Sequence, residues 1–278
     1  MRIPIDTIGD IAILKFSRWA FWPYKKYYAW KLLRNDLHLK VVLEKIGKFS
    51  GVLRKQETKW LAGEKRKDTI HRENNCQFFL DIDETYFSPR LSYDRKLVAE
   101  DILKEILSKK IKSPKCLVMF AGVGPFSVVL ADVLRKNKIE AEIISSELNE
   151  KASEYAEKNV RMNKLNDYIK VVSGDSKKLC EKLSTHKGSS RNASRKQQFD
   201  FILMPRPNLE DTFLVDAMKV AKKGTVFYYH GFGEEKEVVG AMNKDIKLTK
   251  RKVSKFEIRK CGDIGVNKFR FTIKFKVL

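Results

Sequence analysis

An apolar run, Cys116-Leu117-Val118-Met119-Phe120, passes directly into Ala121-Gly122-Val123-Gly124-Pro125 and then into a helix-forming stretch from Phe126. A buried strand, a glycine turn and a helix in immediate succession are the opening of a parallel βαβ unit. Glycines suit such a turn because a ligand pressing on the backbone leaves no room for side chains. The rhythm repeats downstream: Glu142–Ser145 reads as a second strand before a helix at about 149–163, and Ile169–Val172 as a third strand before another helix. Phe201–Met204 and Thr225–Tyr229 follow as the fourth and fifth, and a helix over Asp94–Ser108 precedes the first. Strands alternating with helices predict an α/β fold with a doubly wound parallel sheet. The alternating tail Phe269–Val277 is expected to close the sheet as an antiparallel strand paired with Leu248–Ile258, and the polar stretch Lys187–Gln198 is expected to be a mobile insertion.

Residues 1–92 have a different texture. Short alternating runs, Ile11–Phe16 and Phe78–Ile82, flank a helix-like stretch over about 25–47 in which Leu32, Leu33, Leu37 and Val41 recur at helical spacing. This predicts a smaller α+β domain over 1–92 ahead of the α/β domain over 93–278. Trp19, Phe21, Trp22, Tyr24, Tyr27, Tyr28 and Trp30 cluster with Lys25, Lys26 and Lys31. Such a cluster suits either a core layer or a surface that stacks on bases; core is the expectation.

The 278 residues carry 57 Lys plus Arg against 35 Asp plus Glu, a net charge of +22 spread along the chain. That field favours a polyanionic partner, above all nucleic acid, although a lysine-rich surface also suits a heat-adapted protein. Cys76, Cys116, Cys180 and Cys261 lie far apart, with no Cys-x-x-Cys pair, and predict reduced thiols rather than disulfides or a zinc site. No apolar run approaches the roughly 20 residues of a membrane span, and the first residues lack the layout of a signal peptide. A cytoplasmic protein is expected.

Elements at the carboxyl ends of the strands point to a bound nucleoside. Glu147 follows the second strand, placed to accept hydrogen bonds from ribose hydroxyls, and Gly174-Asp175 follows the third, where an adenine edge would be held. Ser127 stands where a dinucleotide-binding loop would carry its third glycine.

Four segments carry a resemblance: Thr85-Tyr86-Phe87-Ser88-Pro89-Arg90-Leu91-Ser92-Tyr93-Asp94-Arg95, Ile8–Ile13, Thr69–Asn74 and Phe120–Ser127. Together they resemble the archaeal and eukaryotic tRNA guanine-N1 methyltransferases that modify position 37, whose archaeal relatives also methylate a tricyclic wyosine precursor there. The resemblance spans nearly the whole chain, without the small N-terminal domain that many members use to check the tRNA elbow. It implies a class I methyltransferase (Rossmann-like) sheet, S-adenosylmethionine as cofactor, tRNA as partner, a monomer, and no metal. The cofactor residues it implies are Phe120, Ala121, Gly122, Val123, Gly124, Phe126, Glu147, Leu148, Asp175, Ser176 and Pro205.

Guanine N1 carries a proton, so methylating it needs a base, and the charge building on O6 wants a cationic donor. The family's base falls on Asp94, where the usual residue is Glu, and its O6-steadying arginine on Arg54. Asp94 as a simple helix cap and Arg54 as a phosphate-facing surface residue are the alternatives. Tyr86 and Arg90 fall in the pocket holding cofactor and target nucleotide, unless Tyr86-Phe87 is only a structural pair. Two departures stand out. Met204-Pro205-Arg206-Pro207 replaces the common Asn-Leu-Pro, so Pro205 removes a donor that orients guanine; and Val118 occupies the place of an acid late in strand one. The changed pocket suits methylation at C7 of the precursor, alone or together with guanine methylation. A non-catalytic RNA-binding protein with a vestigial cofactor site is the remaining alternative.

Overall fold

The computed structural model describes residues 3–17, 19–50, 55–185 and 197–278. A seven-stranded sheet is built from β7 (Lys115–Met119), β8 (Glu142–Glu147), β9 (Ile169–Ser173), β10 (Phe199–Met204), β11 (Ala221–Gly233), β12 (Glu257–Gly265) and β13 (Lys268–Lys276), in the order β12-β13-β11-β10-β7-β8-β9. The pairings from β9 across to β11 are parallel, while β13 runs antiparallel between β11 and β12. Helices α2 (Ser92–Lys109), α3 (Pro125–Lys136), α4 (Glu150–Met162), α5 (Ser176–Thr185), α6 (Leu214–Lys219) and α7 (Glu235–Leu248) complete this part.

Continuous apolar strands follow from burial on both faces. Along β7, Cys116 and Val118 enter one core while Leu117 and Met119 enter the other, and β10 splits the same way, Phe201 and Leu203 against Ile202 and Met204. Val118 is wholly buried in that packing, so an apolar residue is what the site requires. Strand order reverses beside β7, which pairs with both β8 and β10. Such a switch point opens a crevice at the carboxyl edge.

A second sheet, β1 (Ile5–Ile8), β2 (Ile11–Leu14), β3 (Val41–Ser50) and β4 (Lys55–Gly63), carries α1 (Trp22–Asn35) as the crossover between parallel β2 and β3. One face of it, with Ile11, Ile13, Val41 and Leu43, joins the same core as Val98, Val118 and Phe126. Between the sheets lies the hairpin β5 (Asp68–Glu73) and β6 (Cys76–Asp81), turning through Asn74 and Asn75, both at positive φ, as the tight hairpin turn demands. Its free edge is answered from α4. Asn159 and Asn163 each accept from and donate to the backbone of Phe79 and Gln77 respectively, so the strand's polar groups stay paired without another strand.

Three expectations need correction. The helix predicted over 25–47 stops at Asn35, because Asp36 Oδ1 accepts from the His38 backbone and turns the chain; Leu37 is exposed and Val41 begins a strand. The partner of the tail is β12, which overlaps the expected Leu248–Ile258 only at Glu257 and Ile258; Leu248 ends α7, and between them the chain meets the tail's end through the Val253–Val277 bridge and backbone hydrogen bonds at Lys252 and Ser254. The aromatic cluster is largely not core. Trp19 is 92% exposed, Phe21 66%, Tyr27 60% and Trp30 52%. A helix lying on a sheet buries one stripe, here Ala29 with Tyr28, Leu32 and Leu33, and the other rings face outward. Most of the polar insertion, residues 187–196, lies outside the described residues. All four cysteines are free thiols. Among the described residues no helix is long and apolar enough to cross a membrane.

Candidate active site

The turn after β7 is held from β8 and from α4. Gly122 (φ +57°) and Gly124 (φ +83°) take left-handed conformations, and Phe120 (φ +57°) does so without being glycine. Strain of this kind persists only where neighbours enforce it. Here Ala121 N donates to Ser146 O at 2.9 Å and Asn159 Nδ2 to Val123 O at 2.9 Å. Ser127 is fully buried and its hydroxyl bonds Ser145 across to β8 at 2.8 Å, which spends it on the sheet.

Glu147, at the end of β8, accepts from Gly122 N and Asn149 N, each at 2.8 Å. Burial raises its pKa, against the lowering effect of the Asn149, Gly122 and Leu148 amides. A carboxylate has about four acceptor positions, so room remains for a diol. Asn149 caps α4 and donates Nδ2 to Glu84 O at 2.8 Å, tying the segment before Tyr86 to the cofactor edge. Asp175 Oδ1 accepts from Lys177 N at 2.7 Å at the start of α5.

These elements enclose a cavity of about 320 Å³. Of the residues expected to bind cofactor, Phe120, Gly122, Glu147, Leu148, Asp175, Ser176 and Pro205 line it, together with Tyr86. Ala121, Val123, Gly124 and Phe126 do not; they form the frame beneath, with Ala121, Val123 and Phe126 buried. A second cavity of about 460 Å³ is lined by Arg90, Asp6, Lys45 and Gln56 and shares Tyr86, Leu91 and Arg270 with the first. The two meet where Arg270 Nη2 donates to Tyr86 Oη at 3.2 Å. Arg90 is largely exposed and pairs with Asp6 at 2.6 Å. Arg54 lies outside the described residues.

Asp94 lines neither cavity and is 4% exposed in the first turn of α2. It caps no helix amide. Its carboxylate meets His230 Nε2 at 3.0 Å, the Thr272 hydroxyl at 2.7 Å and Arg259 at 2.5 Å. Burial works to raise its pKa, but the His230 hydrogen bond and charge, Thr272 and Arg259 outweigh that and hold it at about 2.

Sequence reasoning missed His230, Arg206 and Arg270, all of which line the first cavity. Among the described residues, the buried side-chain polar atoms without a partner are Arg206 Nε and Arg270 Nε. Orphaned donors are rare in folded proteins and point to an absent acceptor; two in one cavity wall fit a ligand bearing a carboxylate. Arg206, 5% exposed, also donates to the Leu209 and Asp211 carbonyls, which folds the Pro205–Pro207 loop back on itself. Asp94, His230 and Cys261 bring ligand atoms within 4.8 Å of one another. Arg259 already neutralises that carboxylate, and burial followed by the Asp94 charge pushes the Cys261 thiol up to about 11, so the set suits a hydrogen-bonded network better than a cation.

A family model described as the TRM5/TYW2 methyltransferase domain matches residues 69–259. The chain belongs to this family. Within it, the tRNA (guanine(37)-N(1))-methyltransferase Trm5b of Pyrococcus abyssi is 31% identical over 236 residues, covering 84% of this chain and 62% of that protein. The tRNA (guanine(37)-N(1))/4-demethylwyosine(37)-methyltransferase Taw22 of Nanoarchaeum equitans is 28% identical over 288 residues, covering 89% and 92%. The crystal structure of Pyrococcus abyssi Trm5b superposes with a TM-score of 0.76 at 28% identity, covering 99% of this chain and 74% of that one. The chain thus spans less than two thirds of the Pyrococcus relative's full sequence. The TRM5/TYW2 fold is the class I methyltransferase sheet described above.

Proposed function

We propose that this protein transfers a methyl group from S-adenosylmethionine to N1 of guanosine at position 37 of tRNA. The observation that carries this reading is the meeting of the two cavities at Tyr86 and Arg270, one framed for a nucleoside cofactor and the other open beside Arg90. The cofactor, when bound, supplies an electrophilic methyl group on sulfur. Glu147 takes the ribose hydroxyls, Leu148, Asp175 and Ser176 hold the adenine, and Gly122 and Phe120 line the approach, while the unpaired Arg206 donor suits the cofactor carboxylate. Ala121, Val123, Gly124 and Phe126 support them from behind.

The target base is splayed out of its loop, as chemistry at a stacked base requires. Tyr86 and Arg90 hold the nucleotide, Arg54 steadies the charge on O6, and Asp94 supplies the negative charge that draws off the N1 proton. In this reading residues 1–92 grip the RNA and residues 93–278 hold the cofactor. The protein acts as a cytoplasmic monomer, its net charge of +22 drawing in the tRNA.

One observation favours a second activity. Pro205 lines the cofactor cavity and offers no donor to guanine, so a bulkier tricycle is acceptable, and methylation at C7 of 4-demethylwyosine would accompany the first reaction. The deciding experiment is incubation with a tRNA transcript carrying guanosine 37, followed by digestion and mass spectrometry. N1-methylguanosine is expected, and its loss when adenosine replaces guanosine at that position. A methylated product that survives the replacement defeats the site assignment.

A further inference from the structure

Asp94 and His230 stand on opposite sides of the first cavity's wall. His230 lines the cavity from near the carboxyl end of β11, and Asp94 lies behind it, lining neither cavity. A proton leaving a base bound in the cavities therefore has no direct path to Asp94. The link is His230 Nε2 to Asp94 Oδ2 at 3.0 Å, with both side chains 3% exposed. Thr272, opposite His230 in the β11–β13 register, donates to Asp94 Oδ1, as does Arg259. With both donors on Oδ1, Oδ2 is left to the imidazole. Phe126 packs its ring edgewise on the imidazole at 5.4 Å, fixing its plane.

We propose that His230 is a further catalytic residue, taking the target proton on the ring nitrogen left bare by its bond to Asp94, which acts through it as a positioning residue. This rests on the methyl-transfer reading above. When Nε2–H donates to the carboxylate, Nδ1 carries the lone pair, the same division of labour by which a buried carboxylate fixes a histidine tautomer elsewhere. The N1–H bond breaks and the proton joins Nδ1. The N1 electron pair forms the new bond to the methyl carbon as the carbon–sulfur bond breaks, its pair going to sulfur. The imidazolium formed is steadied by Asp94 and returns its proton to water after the product leaves. The charged and titratable groups around the pair are Asp94 and Arg95 from α2, Arg259 and Cys261 from β12, and Arg270 from β13. Arg95 is engaged by Glu73.

The test has two parts. In the cofactor-free protein, nitrogen-15 NMR of the histidines reads the tautomer directly. Nε2–H with a bare Nδ1 is expected for the neutral form of His230, with Asp94→Asn disturbing that preference. A fixed Nδ1–H tautomer overturns the proposal, whether or not any variant folds. In single-turnover methylation, His230→Ala is expected to lose about 100- to 10,000-fold in rate, with cofactor affinity by calorimetry kept within about threefold. Added imidazole should restore part of the rate in proportion to its unprotonated fraction. A His230→Ala rate within about threefold of the parent, alongside an inactive Asp94→Asn, overturns the relay and leaves the methyl-transfer reading standing. An inactive His230→Ala without imidazole rescue, but rescued by His230→Gln, assigns a structural role and also overturns it. Failure of the unmodified protein to methylate a guanosine-37 tRNA would instead sink the reading beneath.

Discussion

Arg95 and Glu73 form a two-pronged ion pair, Nε to Oε1 and Nη2 to Oε2 at 2.5 Å each, with side chains 2% and 3% exposed. The pair joins α2 to the β5–β6 hairpin at the position next to Asp94. His71, on the same strand as Glu73, approaches its carboxylate at 3.5 Å and accepts from Gly9 N at 3.1 Å, so the β1–β2 turn is tied in as well. Burial raises the Glu73 pKa, but His71 and Arg95 outweigh it and hold the carboxyl below its ordinary value.

Removing one partner leaves an uncompensated buried charge, which costs about 3–5 kcal/mol. Glu73→Ala should therefore lower the unfolding free energy by that amount, moving the urea midpoint down in proportion. The double replacement Glu73→Ala with Arg95→Leu should cost less than Glu73→Ala alone. Equilibrium unfolding followed by circular dichroism checks both.

Glu147 predicts a pH dependence of cofactor binding. Burial raises its pKa, so as pH falls it protonates earlier than an ordinary glutamate and loses acceptor capacity toward the ribose hydroxyls. Affinity should rise with pH through this raised value and then level off, with proton release on binding in that window. Calorimetry in buffers of differing ionisation enthalpy measures it. Glu147→Gln should weaken binding by about 10- to 100-fold, the worth of hydrogen bonds to a charged group, and should abolish the proton release.

Much of the α/β half was legible because β7 and β10 are buried on both faces, so their apolar runs are unbroken and bounded by turn residues. The glycine loop and Glu147 were legible for the same reason: strand ends fix where the site must be. His230 was not, since its chemistry depends on Asp94, 136 residues upstream, and its own strand reads as plain core. The helix over 25–47 was overextended because Leu32, Leu33, Leu37 and Val41 mimic one helical stripe, although only Leu32 and Leu33 pack under α1. The aromatic cluster misled because ring content signals core on average, and no pattern in the sequence says which side of α1 the sheet lies on.

Asp94 should leave a signature in acid stability. Its folded pKa of about 2 lies below the ordinary 3.8, so the network stabilises the fold above the unfolded value and loses that contribution as pH falls toward 2. The shift corresponds to about 2 kcal/mol. Asp94→Asn should therefore lower Tm at neutral pH, with the gap to the parent narrowing between pH 4 and pH 2. A gap that stays constant with pH contradicts the account.

The outward rings of α1 predict a contribution to RNA binding. Lys59 Nζ lies 4.1 Å and Lys26 Nζ 5.4 Å from the Trp22 ring centre, and Arg34 lies 4.7 Å from that of Trp30. Cations beside exposed rings suit bases and phosphates together. Trp22→Ala combined with Trp30→Ala should weaken tRNA affinity by about 10-fold or more at one stacked base while leaving cofactor affinity unchanged. Affinity for tRNA should fall steeply with salt; filter binding across a salt series checks both.

A sulfonium carries three carbon groups, and the methyl is the one expected to move, onto position 37. The most direct test incubates the protein and guanosine-37 tRNA with cofactor labelled either in the methyl group or in the carboxyl carbon. Label from the methyl alone should enter the tRNA, recovered in a single nucleoside at position 37. Transfer of the carboxyl label, or methyl label found elsewhere in the tRNA, would contradict the account.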